Sequence, residues 1–116
     1  MTTAQTHTRD SLRTLLRQPG LVVIDFWAPW CGPCRAFAPV FEAAAARHPD
    51  VTFAKVNTDE EQEVANAFRI RSIPTLMVVK DGQLLFSQPG ALPPATLERL
   101  IAQARTTTVK SSANTG

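Results

Sequence analysis

Cys31 and Cys34 stand three apart in Trp30-Cys31-Gly32-Pro33-Cys34, and they are the only cysteines in the chain. Two thiols at that spacing can run reversible disulfide chemistry, supply half of a metal site, or staple a loop. The staple is a weak reading, because closing so short a ring removes only about 2 kcal/mol of unfolded-state entropy. A structural zinc site needs four ligands, and beyond the cysteines only His7 and His48 remain, isolated and in polar contexts. Exchange chemistry fits best, because the pair falls between an apolar run and the start of a helix. There the unpaired N–H groups of the first turn and the positive end of the helix dipole favour a negative charge. Cys31, at the mouth of that helix, should ionise more easily than a free cysteine, and the thiolate is the attacking species. Cys34, one turn further in, should be more buried and more protonated. That asymmetry assigns roles: Cys31 attacks a substrate disulfide to form a mixed disulfide, and Cys34 resolves it.

Asp25 is the second candidate. It interrupts the apolar run Leu21-Val22-Val23-Ile24-Asp25-Phe26-Trp27, where an ionised carboxylate is costly to bury. By period-two counting it shares a face with Val23 and Trp27. Buried near the cysteines, it would have a raised pKa and could accept the proton of Cys34 during resolution. A structural hydrogen-bonding role is the alternative. Lys55 interrupts the neighbouring apolar stretch Val51-Thr52-Phe53-Ala54-Lys55-Val56 and is the natural charge partner. Its alternative is a surface lysine whose stem covers apolar area.

The elements that must position these groups follow from pattern. Leu12, Leu15 and Leu16 fit one face of a short helix, with Asp10 as a plausible cap and Pro19-Gly20 as its stop. The β-branched run 21–27 suits a strand buried on both faces. A helix over 33–47 starts at Pro33, carries Phe37, Phe41, Ala44 and Ala45 as an apolar stripe, and should kink at Pro39. Residues 51–56 read as a second core strand. Thr58-Asp59-Glu60-Glu61 has the form of a capping box that opens a helix bearing Val64, Ala67 and Phe68. Residues 73–79 read as a third strand, Asp81-Gly82 as a hairpin turn, and Leu84-Leu85-Phe86 as its second arm. Pro93-Pro94 precedes a last helix with Leu97, Leu100, Ile101 and Ala104 on one side. The order α, β, α, β, α, β, β, α, with a weak first strand near residues 2–7, gives an α/β fold: a mixed sheet with helices on both faces.

The 116 residues suit one domain, with 44% apolar and 19% charged residues excluding a wholly disordered chain. Residues 1–9 are a polar N-terminal segment, 10–105 the domain, and 106–116 a loose tail without periodicity. Dispersed charge with a balance of +2 argues against a nucleic-acid surface, and no apolar stretch reaches the length of a membrane span. No secretory signal opens the sequence, which favours the cytoplasm. A monomer is the simplest expectation.

Asp25-Phe26-Trp27-Ala28-Pro29-Trp30-Cys31-Gly32-Pro33-Cys34, Ala54-Lys55-Val56-Asn57-Thr58-Asp59, Arg71-Ser72-Ile73-Pro74-Thr75 and Pro89-Gly90-Ala91 together resemble the thioredoxin family, in order over about residues 10–105. The resemblance implies the thioredoxin fold and protein-disulfide reduction in cell redox homeostasis. Cys31 would be the nucleophile, Cys34 the resolving thiol, and Asp25 the buried group assisting Cys34, tuned by Lys55. Gly32 and Pro33 would help set a reducing potential. Pro74 would be cis, opposite the cysteines, and the Ile73 backbone would pair with an extended substrate. Trp30, Ile73, Pro74, Gly90 and Ala91 would form the docking surface for disulfide-containing client proteins. No cofactor would be bound; electrons would come from NADPH through a thioredoxin reductase, since no Gly-x-Gly-x-x-Gly follows any strand here. An oxidant or isomerase on the same fold, or a non-catalytic protein-binding scaffold, is the alternative.

Within the family, Phe37-Ala38-Pro39-Val40-Phe41-Glu42 and Phe68-Arg69-Ile70-Arg71-Ser72-Ile73-Pro74 look closest to the bacterial second thioredoxin. That subtype usually carries an N-terminal zinc ribbon with two further Cys-x-x-Cys pairs. No cysteine precedes Cys31, so the ribbon and its zinc are not carried over. Thr58 stands where an apolar docking residue is frequent, and the tail lies outside the resemblance.

Overall fold

In a computed structural model that describes residues 4–109, the chain runs β1 (Gln5–Thr6), α1 (Arg9–Leu16), β2 (Leu21–Trp27), α2 (Gly32–Arg47), β3 (Thr52–Asn57), α3 (Gln62–Ala67), β4 (Thr75–Lys80), β5 (Gln83–Pro89) and α4 (Pro94–Thr106). The strands form one sheet in the order β1-β3-β2-β4-β5. β1 and β2 both run parallel to β3, whereas β4 is antiparallel to β2 and to β5. The apolar run of β2 occupies the centre because it is buried on both faces, as its composition requires. Alternate residues serve opposite layers. Val22, Ile24 and Phe26 join Leu12, Val56, Val64 and Met77 under α1 and α3. Val23 joins Phe37, Phe41, Phe53, Val78, Leu97 and Ile101 under α2 and α4. The expected mixed sheet with helices on both faces is the architecture observed.

Local details depart from expectation where a neighbour competes for the same bond. Thr8, not Asp10, caps α1: its side chain accepts the Ser11 N–H, and Ser11 Oγ accepts the Thr8 N–H at 2.9 Å. The Thr58–Glu61 capping box does not form. Asn57 Oδ1 instead accepts the N–H groups of Asp59 and Glu60 at 2.9 and 3.3 Å, and α3 starts only at Gln62. β4 begins at Thr75, after the cis Ile73–Pro74 bond, and β5 extends to Pro89. α2 runs as one helix through Pro39, with Pro33 in its first turn.

The Asp81-Gly82 hairpin has φ of 50° and 82°, the positive pair a tight two-residue turn of this type requires. The weak first strand is the two-residue β1, and the expectation for residues 1–3 lies outside the described residues. So does most of the tail, since only Thr107–Val109 beyond α4 are described, as neither helix nor strand. No helix among the described residues is long and apolar enough to cross a membrane.

Candidate active site

Cys31 is the N-cap of α2, with extended backbone, and its Sγ accepts the Cys34 N–H at 3.2 Å. Sulfur thus takes the place of the capping oxygen that usually answers a first-turn donor. The two cysteines are joined as a disulfide with their Cα atoms 5.2 Å apart. Both are nearly inaccessible, at 4% for Cys31 and 2% for Cys34, so the inner thiol is only slightly the more buried.

The loop between β2 and α2 is pinned at both ends. The Cys31 N–H reaches Ala28 O at 3.2 Å, while the N–H and hydroxyl of Thr58 both donate to Trp27 O, at 2.8 and 3.1 Å. Thr58 therefore braces the loop, its hydroxyl donating to Trp27 O rather than accepting a first-turn N–H of α3.

Across from the disulfide, Ile73 packs with Ala28, Cys31 and Cys34, and its carbonyl oxygen stands 3.7 Å from Cys31 Sγ. With the sulfur in a disulfide there is no S–H to donate, so this is a contact rather than a hydrogen bond. Pro74 is cis and buried, and its carbonyl accepts the Gly90 N–H at 2.7 Å. Gly90 has φ of 107°, a conformation that requires glycine. Ala91 follows it, exposed.

Trp30 is 67% exposed, yet its ring is tethered: Nε1 donates to Asp59 Oδ2 at 2.9 Å. Pattern reading missed Asp59 as a site residue, because Thr58–Glu61 looks like a helix cap. The available signal was the Asn57 two residues before it, whose side chain folds the chain into an Asx turn.

Gly32 and Pro33 lie exposed in the first turn. A Cβ at Gly32 would meet nothing within 4 Å, so space does not explain glycine there.

Asp25 lies within β2, 1% exposed, and among the described residues neither of its oxygens has a hydrogen-bond partner. Burial pushes its pKa up from 3.8 to about 7, Lys55 pulls against this, and the nearby Glu42 adds to the rise. Lys55 stands beside Asp25 in the ladder, with its ammonium 4.7 Å from the centre of the Trp27 ring. A buried carboxyl thus lies in the strand that leads into the disulfide loop, and the outer sulfur of that loop caps the following helix.

The family model described as Thioredoxin matches residues 3–103. A Streptomyces coelicolor protein described as putative thioredoxin 2 is 49% identical over 105 residues, covering 90% of this chain and 78% of its own. Thioredoxin 1 of Synechococcus elongatus is 56% identical over 77 residues, covering 66% and 72% of the two chains. Among solved structures, oxidized mitochondrial thioredoxin 3 of Saccharomyces cerevisiae superposes with a TM-score of 0.78 at 35% identity, covering 87% and 94%.

Proposed function

The chain belongs to the thioredoxin family and is a protein dithiol–disulfide oxidoreductase built on the Cys31–Cys34 pair, and we propose that Cys31 attacks client disulfides while Cys34 resolves the resulting intermediate. The observation that carries this division is the N-cap position of Cys31, with the Cys34 N–H aimed at its sulfur. In the reduced protein the same donor and the helix dipole favour a thiolate at Cys31. That thiolate forms a bond to one client sulfur and expels the other as a thiolate. Cys34, giving up its proton, then attacks Cys31 Sγ, closes the internal disulfide and releases the second client thiol. The client gains two electrons and this chain loses two.

Asp25 is the acceptor for the Cys34 proton, since a carboxyl that titrates at about 7 can exchange a proton near neutral pH. Lys55 moderates it. Trp30, Ile73, Pro74, Gly90 and Ala91 are the client-docking surface, in which the Ile73 backbone pairs with an extended segment of the client. Gly32 and Pro33 contribute to a reducing potential. NADPH, acting through a thioredoxin reductase, restores the dithiol in a reducing compartment, the cytoplasm, where the 10–105 domain works as a monomer.

Turnover of insulin disulfides with NADPH and a thioredoxin reductase tests this reading. It requires rapid reduction that disappears in Cys31→Ser. Absence of turnover, with both cysteines titratable, would leave the oxidant or isomerase alternative.

A further inference from the structure

Asp25 and Lys55 occupy neighbouring strands in register, on the sheet face that also carries Val23 and Phe53 beneath α2. The charged groups on the elements covering that face are few. On α2, Arg35 donates to Pro29 O, and Arg47 is engaged with Glu98 of α4, which also holds His48. From β4, the residue beside Asp25 is the neutral Leu76. Glu42 is the remaining charged side chain of α2. It is half-buried, and its Oε1 accepts the backbone N–H of Ala4 at 2.9 Å.

That bond fixes where the second carboxylate sits. Ala4 directly precedes β1, whose residues Gln5 and Thr6 pair with Ala54 and Lys55 of β3. Glu42 is therefore held at the β1 edge of the sheet, two strand spacings across from the strand that carries Asp25, or roughly 10 Å.

We propose that Glu42 is a positioning residue for the proton of Asp25: a second carboxylate, tethered through Ala4, that opposes loss of that proton and keeps Asp25 available to exchange one with Cys34. This rests on the reading of Asp25 as the proton partner of Cys34. A like charge disfavours ionisation of its neighbour, and a half-buried pair is screened less by salt than an exposed one. The direction in which Glu42 moves Asp25 agrees with this. The arrangement also ties the Ala4 amide, just before β1, to the electrostatics of the site.

Glu42→Gln separates charge from structure, because the amide oxygen can still accept the Ala4 N–H. In the oxidised full chain, the Asp25 carboxyl carbon is followed by NMR against pH. In the reduced chain, the pH profile of mixed-disulfide resolution is measured. The Asp25 midpoint should fall by roughly half a pH unit or more, and the resolution profile should move with it. Glu42→Lys should move both further in the same direction, and in an Asp25→Asn background Glu42→Gln should leave the profile in place. An unmoved midpoint in Glu42→Gln, with the Ala4 amide still protected from exchange, overturns the proposal and leaves the role of Asp25 standing. A midpoint that falls while the resolution profile stays fixed overturns instead the Asp25 reading, and the proposed role of Glu42 in the reaction with it.

Discussion

Asp25 and Lys55 stand abreast in the parallel ladder of β2 and β3, yet the Lys55 ammonium lies over the Trp27 ring and neither Asp25 oxygen has a hydrogen-bond partner among the described residues. The cation is near enough to temper the burial of the carboxyl but does not neutralise it by a direct bond. A buried acid left in this state costs stability, and the same condition brings its proton affinity into the range useful for moving a proton from a thiol.

The cost has a definite pH dependence. The folded-state pKa of Asp25 is raised from 3.8 to about 7, so the folded chain holds this proton more tightly than the unfolded one. The stability it contributes is fully present below about pH 4 and is lost as pH rises towards 7. Asp25→Asn removes the titration. In urea unfolding of the oxidised protein, it should exceed the parent at pH 8 by about 2–4 kcal/mol, with the advantage shrinking as pH falls from 7 towards 4. An advantage of equal size at both pH values would contradict this account.

Trp30 owes its orientation to Asp59. Asp59→Ala frees the indole of an exposed side chain while leaving the disulfide and its cap intact. Losing one charge-assisted bond worth about 1 kcal/mol should lower kcat/KM for a protein disulfide by roughly fivefold. The rate with a small aliphatic disulfide, which needs no docking surface, should hardly change. Equal losses on both substrates would show that Asp59 acts on the cysteines rather than on docking.

Arg69 follows α3 with φ of 57°, in the left-handed region that side chains other than glycine occupy at a cost. Its N–H reaches Asn66 O, and the Ile70 N–H returns to Ala65 O, so the helix end fixes this conformation. Arg69→Gly should raise stability by about 0.5–1 kcal/mol after the greater freedom of glycine in the unfolded chain is counted. Thermal unfolding should show a rise of several degrees.

Lys80 ends β4, and its ammonium donates to the carbonyls of Ala104, Arg105 and Thr107, at 3.0, 2.9 and 2.6 Å. A single side chain thereby satisfies the open end of α4 and ties that helix to the sheet. Lys80→Met keeps the apolar stem and removes the donors. It should cost about 1–3 kcal/mol and speed hydrogen exchange in the last turn of α4, with insulin reduction by the folded protein unchanged.

What could be read from the chain and what could not divide along physical lines. The central strand was legible because seven residues from Leu21 to Trp27 are nearly all apolar, and Asp81-Gly82 marks a turn whose backbone few other pairs adopt. Cys31 and Cys34 declared themselves by type, spacing and place before a helix. The cap at Thr8 was missed because Thr8 and Asp10 are both capable acceptors, and only Ser11 decides between them. The tether of Trp30 depends on an Asx turn at Asn57 that competes with a helix cap for the same amides. Glu42 looks like any solvated helix position until the fold brings Ala4 to it. The isomer at Pro74 was expected only through the family resemblance, since cis bonds are a small minority before proline.

The central claim is the division of labour between the two cysteines. It is tested most directly by incubating reduced Cys34→Ser and Cys31→Ser with a disulfide-containing client and identifying the covalent adducts by mass spectrometry. Cys34→Ser should accumulate a mixed disulfide through Cys31, stable until a small thiol releases it, and Cys31→Ser should accumulate almost none. Adducts through Cys34 in the Cys31→Ser protein, at a comparable rate, would contradict the assignment of Cys31 as the attacking thiol.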